Sequence, residues 1–553
     1  INRRYDIVYG DVMLNFNYNI RRFDIAATLG WTGRYENMNN MRVSTNGGLV
    51  TENWFDLNAS RYTASSTLQR MELLKTGYMG TLSLGWDNYL FLELTGRQER
   101  SSTLKDKSFF YPSANLSFLF SNAFRMPAWW NHGKLRLSYG IVGNAPETYA
   151  ANIIYEQGSD NGFTWNYVPS SWGNANIRPE KKYEYEIGLE SKFLNNRLGF
   201  DVSYYNNRVK DQILSTPQPS SSGVKYVLMN VGEVANEGWD ISVSATPVLT
   251  KNFRWDLTAN YGIYRNKVVK LAEGVPYLEI SNIGGGGAKI QAVEGRPMGD
   301  IYVQMPQMNE NGDYLVSDKG LYLNQTDLQR VGNINPDGVG GLFSSFSYKN
   351  IFLDFSIDFR IGGDVINEMY QYSTASGLTP ESLQYRDTEH GGLSYYYPGN
   401  NNASGTPVQV DPSSGAGPNG EIIYHDGIIL PGVVASTGEK NTRIIPAGYY
   451  YNQTYNWGTQ SEQLTYRHSV FDNTYVKLRE LTIGYQFPEK LTAKLGMTRL
   501  SVSIFGRNLF YFYKALKNYD AESSVGTSWA SQAVVGGSTT ATRNFGVSLR
   551  ASF

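Results

Sequence analysis

The feature that most constrains this chain is a two-residue period, repeated in segment after segment. In IFLDFSIDFRI (351–361), Ile351, Leu353, Phe355, Ile357, Phe359 and Ile361 share one face, and Asp354, Ser356, Asp358 and Arg360 the other. YEYEIGLESKF (183–193) sets Tyr183, Tyr185, Ile187, Leu189 and Phe193 against Glu184, Glu186, Gly188, Glu190 and Lys192. FRWDLTANYGI (253–263) sets Phe253, Trp255, Leu257, Ala259, Tyr261 and Ile263 against Arg254, Asp256, Thr258, Asn260 and Gly262. Side chains alternate across a strand, so each segment is a strand with one apolar and one polar face. About fifteen such segments occur, and helical periodicity is almost missing. They begin near Tyr5, Phe23, Glu72, Tyr89, Phe109, Lys134, Tyr183, Arg197, Gly238, Phe253, Gly340, Ile351, Thr474, Thr498 and Asn544.

The apolar faces run about nine to eleven residues, the length a tilted strand needs to cross the hydrocarbon layer. The connections alternate strictly between short and long. Short ones fall at Arg21-Arg22, Asp87-Asn88, Asn122–Gly133, Asn195-Asn196, Thr250–Asn252, Lys349-Asn350 and Pro488–Gly496. Long ones are expected near 36–70, 101–108, 144–180, 215–232, 269–338, 366–470 and 513–541. Short turns on one side and long loops on the other are the pattern of a transmembrane barrel. A large soluble all-β protein, such as a propeller or stacked sandwiches, also uses period-two strands. It has no need of uncharged aromatic faces or of every long loop at one end, and no repeat of fixed period is present. The fold expected is therefore all-β, a transmembrane antiparallel β-barrel in the outer membrane, facing lipid with its apolar side.

Composition agrees. Mean hydropathy is −0.39 and no apolar run is long enough for a transmembrane helix, because half of every strand faces a polar lumen. Cys is absent, which excludes disulfides and thiolate metal sites. A net charge of −1 argues against nucleic acid as a partner. An antiparallel barrel with both termini on one side needs an even number of strands. Fifteen strands, and an opening already in strand pattern, imply the C-terminal part of a larger barrel. The terminal TRNFGVSLRASF (542–553) is one membrane crossing that needs a closing partner.

No catalytic constellation emerges, and the chain is not expected to be an enzyme. His132, His390, His425 and His468 lack ligand spacing and are read as solvated, with no metal or cofactor expected. GGGG (284–287) lacks the Lys-Ser/Thr and helix of a phosphate cradle and reads as a flexible loop. NENGDY (309–314) has no acidic residue at the twelfth position of a calcium loop and reads as a turn.

Several stretches are more specific than alternation: KLRLSYGIVGN (134–144), RPEKKYEYEIGLE (178–190), NVGEVANEGWDISV (230–243), GRPMGDIY (295–302), RVGNINPDGVGG (330–341), FRIGGDVIN (359–367), DNTYVKLRELTIGYQFP (472–488) and LSVSIFGRNLFYF (500–512). In this order they resemble the C-terminal part of the SusC/RagA-like family of TonB-dependent outer-membrane transporters. The resemblance covers essentially the whole chain. It implies a barrel of twenty-two strands filled by an N-terminal plug, of which seven strands and the plug lie upstream. It implies uptake of oligosaccharides or peptides, powered by TonB acting through that plug. A SusD-like surface lipoprotein is the implied lid, and a dimer of such pairs the implied assembly. A passive porin and an outer-membrane docking or adhesion component are the other readings the strands allow.

Within the barrel reading, Glu184, Glu186, Glu190, Arg254, Asp354, Asp358 and Arg360 line the lumen, where such charges hold a plug more often than a substrate. Loop aromatics suit stacking on sugar rings or contact with peptides: Trp165, Tyr167, Trp172, Tyr395, Tyr396, Trp457 and Trp529. The plainer reading is that these rings pack the loops together. Trp129-Trp130, in a short turn, is placed to anchor at the membrane interface. The near-neutral charge steers neither acidic nor basic cargo, so glycan and peptide both stand.

Overall fold

The computed structural model describes residues 1–105, 108–160, 163–455, 466–516, 518–537 and 541–553. It forms two compact units: residues 1–247 with 264–276, and residues 248–263 with 277–553.

The first unit is built on nine long strands: β1 (Asn2–Ile20), β2 (Phe23–Leu49), β3 (Ser60–Trp86), β4 (Leu90–Ser101), β5 (Ser108–Phe118), β6 (Trp130–Asn144), β7 (Glu180–Phe193), β8 (Leu198–Pro217) and β9 (Tyr226–Leu249). Each pairs antiparallel with the next. The second unit is built on β10 (Phe253–Lys270), β11 (Gly338–Tyr348), β12 (Ile351–Ile361), β13 (Tyr475–Gln486), β14 (Arg499–Lys514) and β15 (Asn544–Ser552), paired in the same way. The nine and six strands correspond one to one with the fifteen segments read from the sequence.

The faces are inverted relative to a soluble protein. Phe545, Val547 and Leu549 of β15 are 70% or more exposed, and Tyr185, Ile187 and Leu189 of β7 are exposed while Glu184, Glu186 and Glu190 between them are half-buried. An apolar face turned outward on strand after strand fits lipid, not water.

The short turns carry strained backbone. The two-residue connections Arg21-Arg22 and Lys349-Asn350 place their first residue at φ 54° and 52°, as a type II′ hairpin requires. Asp87, Asn88, Asn195 and Asn196 also take positive φ. Beside these turns in the first unit a chain of rings runs from strand to strand. Phe23 meets Trp86 at 6.4 Å, Trp86 meets Tyr89 at 5.3 Å, and Tyr89 meets Phe118 at 6.2 Å. The chain continues through Phe120, Trp130, Phe193 and Phe200 at centroid distances of 6.4, 5.6, 5.3 and 5.7 Å. Trp129 stacks on both Trp130 and Phe193. This is an aromatic girdle of the kind that marks a membrane interface.

The long connections differ from expectation. Most of 36–70 is strand: β2 runs to Leu49 and β3 starts at Ser60, leaving a tip at 50–59. Most of 215–232 is also strand, with β8 ending at Pro217 and β9 starting at Tyr226. Both faces of a strand meet water once it leaves the bilayer, so the apolar alternation that reveals a strand fades there.

Candidate functional site

The charges expected on the lumen face are engaged in the wall. Glu184 accepts from Lys182 Nζ at 2.6 Å and from Asn207 Nδ2 at 3.1 Å. Glu190 lies 3.7 Å from Arg136 and 3.3 Å from Lys192. Arg136 also binds Asp201 through both oxygens, at 2.6 and 3.0 Å, and Glu186 stands within electrostatic range of it. In the second unit Arg254 donates to Asp256 at 2.5 Å, and Asp354 accepts from Ser345 at 2.6 Å. Arg360 donates to the carbonyls of Ile334 (2.9 Å) and Gly362 (3.2 Å), holding the start of a long connection.

Asp358 belongs to a larger cluster. Arg479 of β13 donates to Asp358 from Nε and Nη2, to Glu522 from Nη1 and Nη2, and to Asn508 from Nη1. Lys477, only 2% exposed, donates to Glu522 at 2.5 Å and lies 4.6 Å from the Tyr511 ring centroid. Tyr511 in turn donates to Asp520 at 2.9 Å. Burial alone would raise the Glu522 carboxyl, but the hydrogen bonds from Arg479 and Lys477 outweigh it and hold it down at about 2. The cluster fastens the last long connection to strands β12, β13 and β14. The sequence reading named Asp358 and missed Lys477, Arg479, Tyr511, Asp520 and Glu522. The register explains why. Ser356 pairs with Glu480 and the next residue, Ile357, with Leu478, so Arg479 is an extra residue in β13. A bulge of this kind re-aims a side chain and breaks the period-two pattern.

The connections of the second unit fold into small domains of their own. Residues 277–334, 366, 466 and 530–534 contribute to one apolar core containing Ile290, Ile301, Val303, Ile366, Tyr466 and Val534. Asp300 is fully buried there, held by Arg296 at 2.7 Å, Arg330 at 2.8 Å and Asn333 at 2.9 Å. The GGGG stretch is not a free loop. Gly284, at φ 60°, lies so close under the Tyr466 hydroxyl that a Cβ would sit 1.8 Å from it. Asn309–Asp313 closes a turn with Gly312 at φ 86°, as read. His468 stacks on Tyr455, 5.5 Å between ring centroids, and stays exposed, as a loop histidine was expected to be. Partial desolvation beside that ring, then the charge of Arg467, pushes its pKa down.

Helices Glu368–Ala375 and Ala447–Tyr455 pack together beside the sheet formed by Leu393–Tyr396, Val408–Gln409, Tyr424–Ile428 and Ile445–Pro446. Between them opens a cleft of about 530 Å³ lined by Ser382, Arg386, Tyr424, His425, Asp426 and Tyr451, among others. Burial, then Tyr385 and Tyr370, pushes the Tyr451 hydroxyl up to about 12. It is a neutral donor, bonded to the Glu381 carbonyl at 2.8 Å. The cleft offers a guanidinium, a carboxylate, an imidazole and ring faces, groups that can hold a polar ligand.

The loop aromatics take separate places. Tyr395 is 1% exposed, stacked on Tyr424 and bonded to Asp426, so it is a core residue of its loop with no face left for a ligand. Tyr396, beside it, is half-buried. Trp529 is partly exposed, packs over Gly299 and donates to Asn335 at 3.3 Å. In the first unit Trp165 and Tyr167 are exposed on a hairpin, Glu156–Asp160 with Phe163–Tyr167, and Trp172 meets Tyr155 edge-on at 5.8 Å. Trp457 lies outside the described residues.

Long antiparallel strands with an exposed apolar face, a chain of rings beside the short turns and folded long connections are the marks of an outer-membrane β-barrel of the receptor and transporter class. The chain belongs to the TonB-dependent-receptor-like β-barrel family, whose pattern it matches over residues 2–301. It is 23% identical over 483 residues to a TonB-dependent receptor of Formosa agariphila, covering 81% of this chain and 42% of that protein. A second receptor of the same organism is 30% identical over 330 residues, 53% of this chain and 32% of the relative. The TonB-dependent receptor SusC of Bacteroides thetaiotaomicron is 27% identical over 247 residues, 40% of this chain and 24% of the relative. The chain thus spans less than half the length of these relatives. Its fold matches the solved structure of the RagAB peptide transporter with a TM-score of 0.71 at 18% identity, over 100% of this chain and 56% of that one. The family is one of outer-membrane receptors and transporters, not of enzymes.

Proposed function

We propose that the chain forms wall and outer loops of an active importer of oligomeric nutrients, peptides or oligosaccharides, driven by TonB through a plug and covered by a SusD-like surface lipoprotein. The observation that carries this reading is the folding of the long connections in the second unit. Three of them contribute to one apolar core, and the longest also holds open a polar, ring-lined cleft, whereas loops that only cap a wall need neither. Tyr424, Arg386 and Asp426 in the cleft, with Tyr396 and Trp529 elsewhere on the loops, are the cargo contacts of the second unit; Trp165, Tyr167 and Trp172 are those of the first. Tyr395 supports them from beneath. Glu184, Glu186, Glu190, Arg254, Asp354, Asp358 and Arg360 present a charged inner face to the plug, and pairs of lid-covered barrels assemble as dimers. The likeness in sequence to SusC and in fold to the RagAB peptide transporter supports the reading.

The test is uptake of fluorescent oligosaccharides and oligopeptides by cells carrying the intact transporter, with and without TonB. One class should accumulate only when TonB is present. Accumulation that survives loss of TonB identifies a passive pore and overturns the proposal.

A further inference from the structure

Strand β3 outruns β4, which pairs with it only as far as Ser101 with Lys75. Beyond that point β2 and β3 stay paired through Ser44–Ser65 and on to Leu49–Ser60. The hairpin therefore carries a β3 edge that β4 has left.

The first residues of that edge are satisfied by surrogates. The Leu74 N–H donates to Ser102 Oγ at 3.0 Å, and its carbonyl accepts from the Ser102 N–H at 2.9 Å. The Glu72 N–H donates to the Tyr149 hydroxyl at 3.1 Å. Backbone groups alternate sides along a strand, and the β2–β3 register is unbroken from Leu74 to Ser65. Arg70, Leu68 and Ser66 therefore turn their N–H and C=O groups the same way, away from β2. Among the described residues nothing bonds to them on that side. A groove of about 750 Å³, lined by Glu72, Lys105, Tyr149 and Asn152 among others, opens where the surrogates end.

We propose that this edge is a docking strip for an extended, acidic segment of a partner polypeptide, which adds a strand to β3. An open row of backbone donors and acceptors selects an extended polypeptide over a sugar or a lipid. Charge selects an acidic one. Among the described residues Arg42, Arg61, Lys75 and Lys105 have no acidic partner; against them stand Glu72, taken by Arg70 at 3.1 Å, and Glu52 and Asp56 at the hairpin tip, so cations remain in excess along the edge. Trp54 and Phe55 stand exposed at the hairpin tip, Phe55 at 87%, as anchors that a macromolecular partner covers.

The test uses the intact transporter in nanodiscs and a short fluorescent peptide alternating Asp or Glu with Val or Thr. Anisotropy should show binding that weakens as salt rises. Ser66→Pro removes an outward N–H and leaves every bond to β2 in place; it should weaken binding roughly tenfold or more. The same peptide methylated on alternate backbone nitrogens should lose binding equally. Arg42→Gln with Arg61→Gln should weaken binding and flatten its salt dependence. Equal binding by the Ser66→Pro variant, equal binding of a lysine-rich peptide, or no binding by the wild type overturns the proposal. So does self-association of the wild type that Ser66→Pro abolishes, which assigns the edge to a second copy. Import of the peptide dependent on Ser66 assigns it to cargo and overturns it as well. Heat-shifted electrophoretic mobility of the variants checks that the barrel is folded.

Discussion

Arg479 owes its reach to the extra residue it occupies in β13, and through it the last long connection is tied to the wall. Glu522 is the other half of that tie. Its carboxyl is held at about 2, below the 4.5 of an unperturbed group. A depressed acid stabilises the folded form fully above its unfolded value and loses that contribution as pH falls toward its folded one. The hydrogen-exchange protection of residues 518–530, taken against the intrinsic rate at each pH, should therefore hold from neutral pH down to about 5 and fall steadily toward about 2. The substitution Glu522→Gln leaves Lys477 buried without its counter-charge. Proteolysis within this connection should then become easier at neutral pH, by the equivalent of about 1–3 kcal/mol of local opening. Lys349 makes the opposite prediction. It sits at φ 52° in a two-residue turn, where glycine carries no steric penalty. Lys349→Gly should raise the barrel's resistance to urea by about 0.5–1 kcal/mol, after the loss of its contact with the Tyr348 ring.

Single elements show where sequence reading succeeds. Strands inside the bilayer announce themselves, because one solvent per face imposes a strict alternation; IFLDFSIDFRI is β12 to the residue. β3 was placed at Glu72 and begins at Ser60, because SRYTASSTLQR sets only Tyr62, Ala64 and Leu68 on one face, broken by Ser66, too sparse an alternation to read. Trp129-Trp130 was legible as a pair of rings in a short turn, but the chain of rings it joins was not. Phe23, Trp86, Phe118, Trp130 and Phe193 lie far apart in sequence and meet only through strand pairing. That chain should behave as a unit. Trp130→Ala removes contacts to Phe120, Trp129 and Phe193 and should cost about 2 kcal/mol. Trp130→Ala combined with Phe193→Ala should cost less than the sum, because the two rings share a contact. Urea titration in detergent micelles reads both values.

At the scale of the whole molecule, the wall was legible and the outer loops were not. The small sheets of the second unit use strands of two to seven residues, too short for any period to show. Their core joins Ile290, Ile366 and Val534 across long stretches of chain, so no local pattern marks it. The run Tyr395-Tyr396-Tyr397 shows the limit most plainly. As letters these are three equivalent rings; folded, Tyr395 is interior and Tyr396 is half-buried beside it. The inverted faces of the strands have a further consequence. This polypeptide is written for two media at once: its strands reach their lowest energy only when hydrocarbon surrounds them, while its outer connections bury apolar side chains as a water-soluble domain does. No single bulk solvent suits both. Biogenesis must hand the strands to a bilayer before they meet one another in water, and leave the loops outside to collapse on their own.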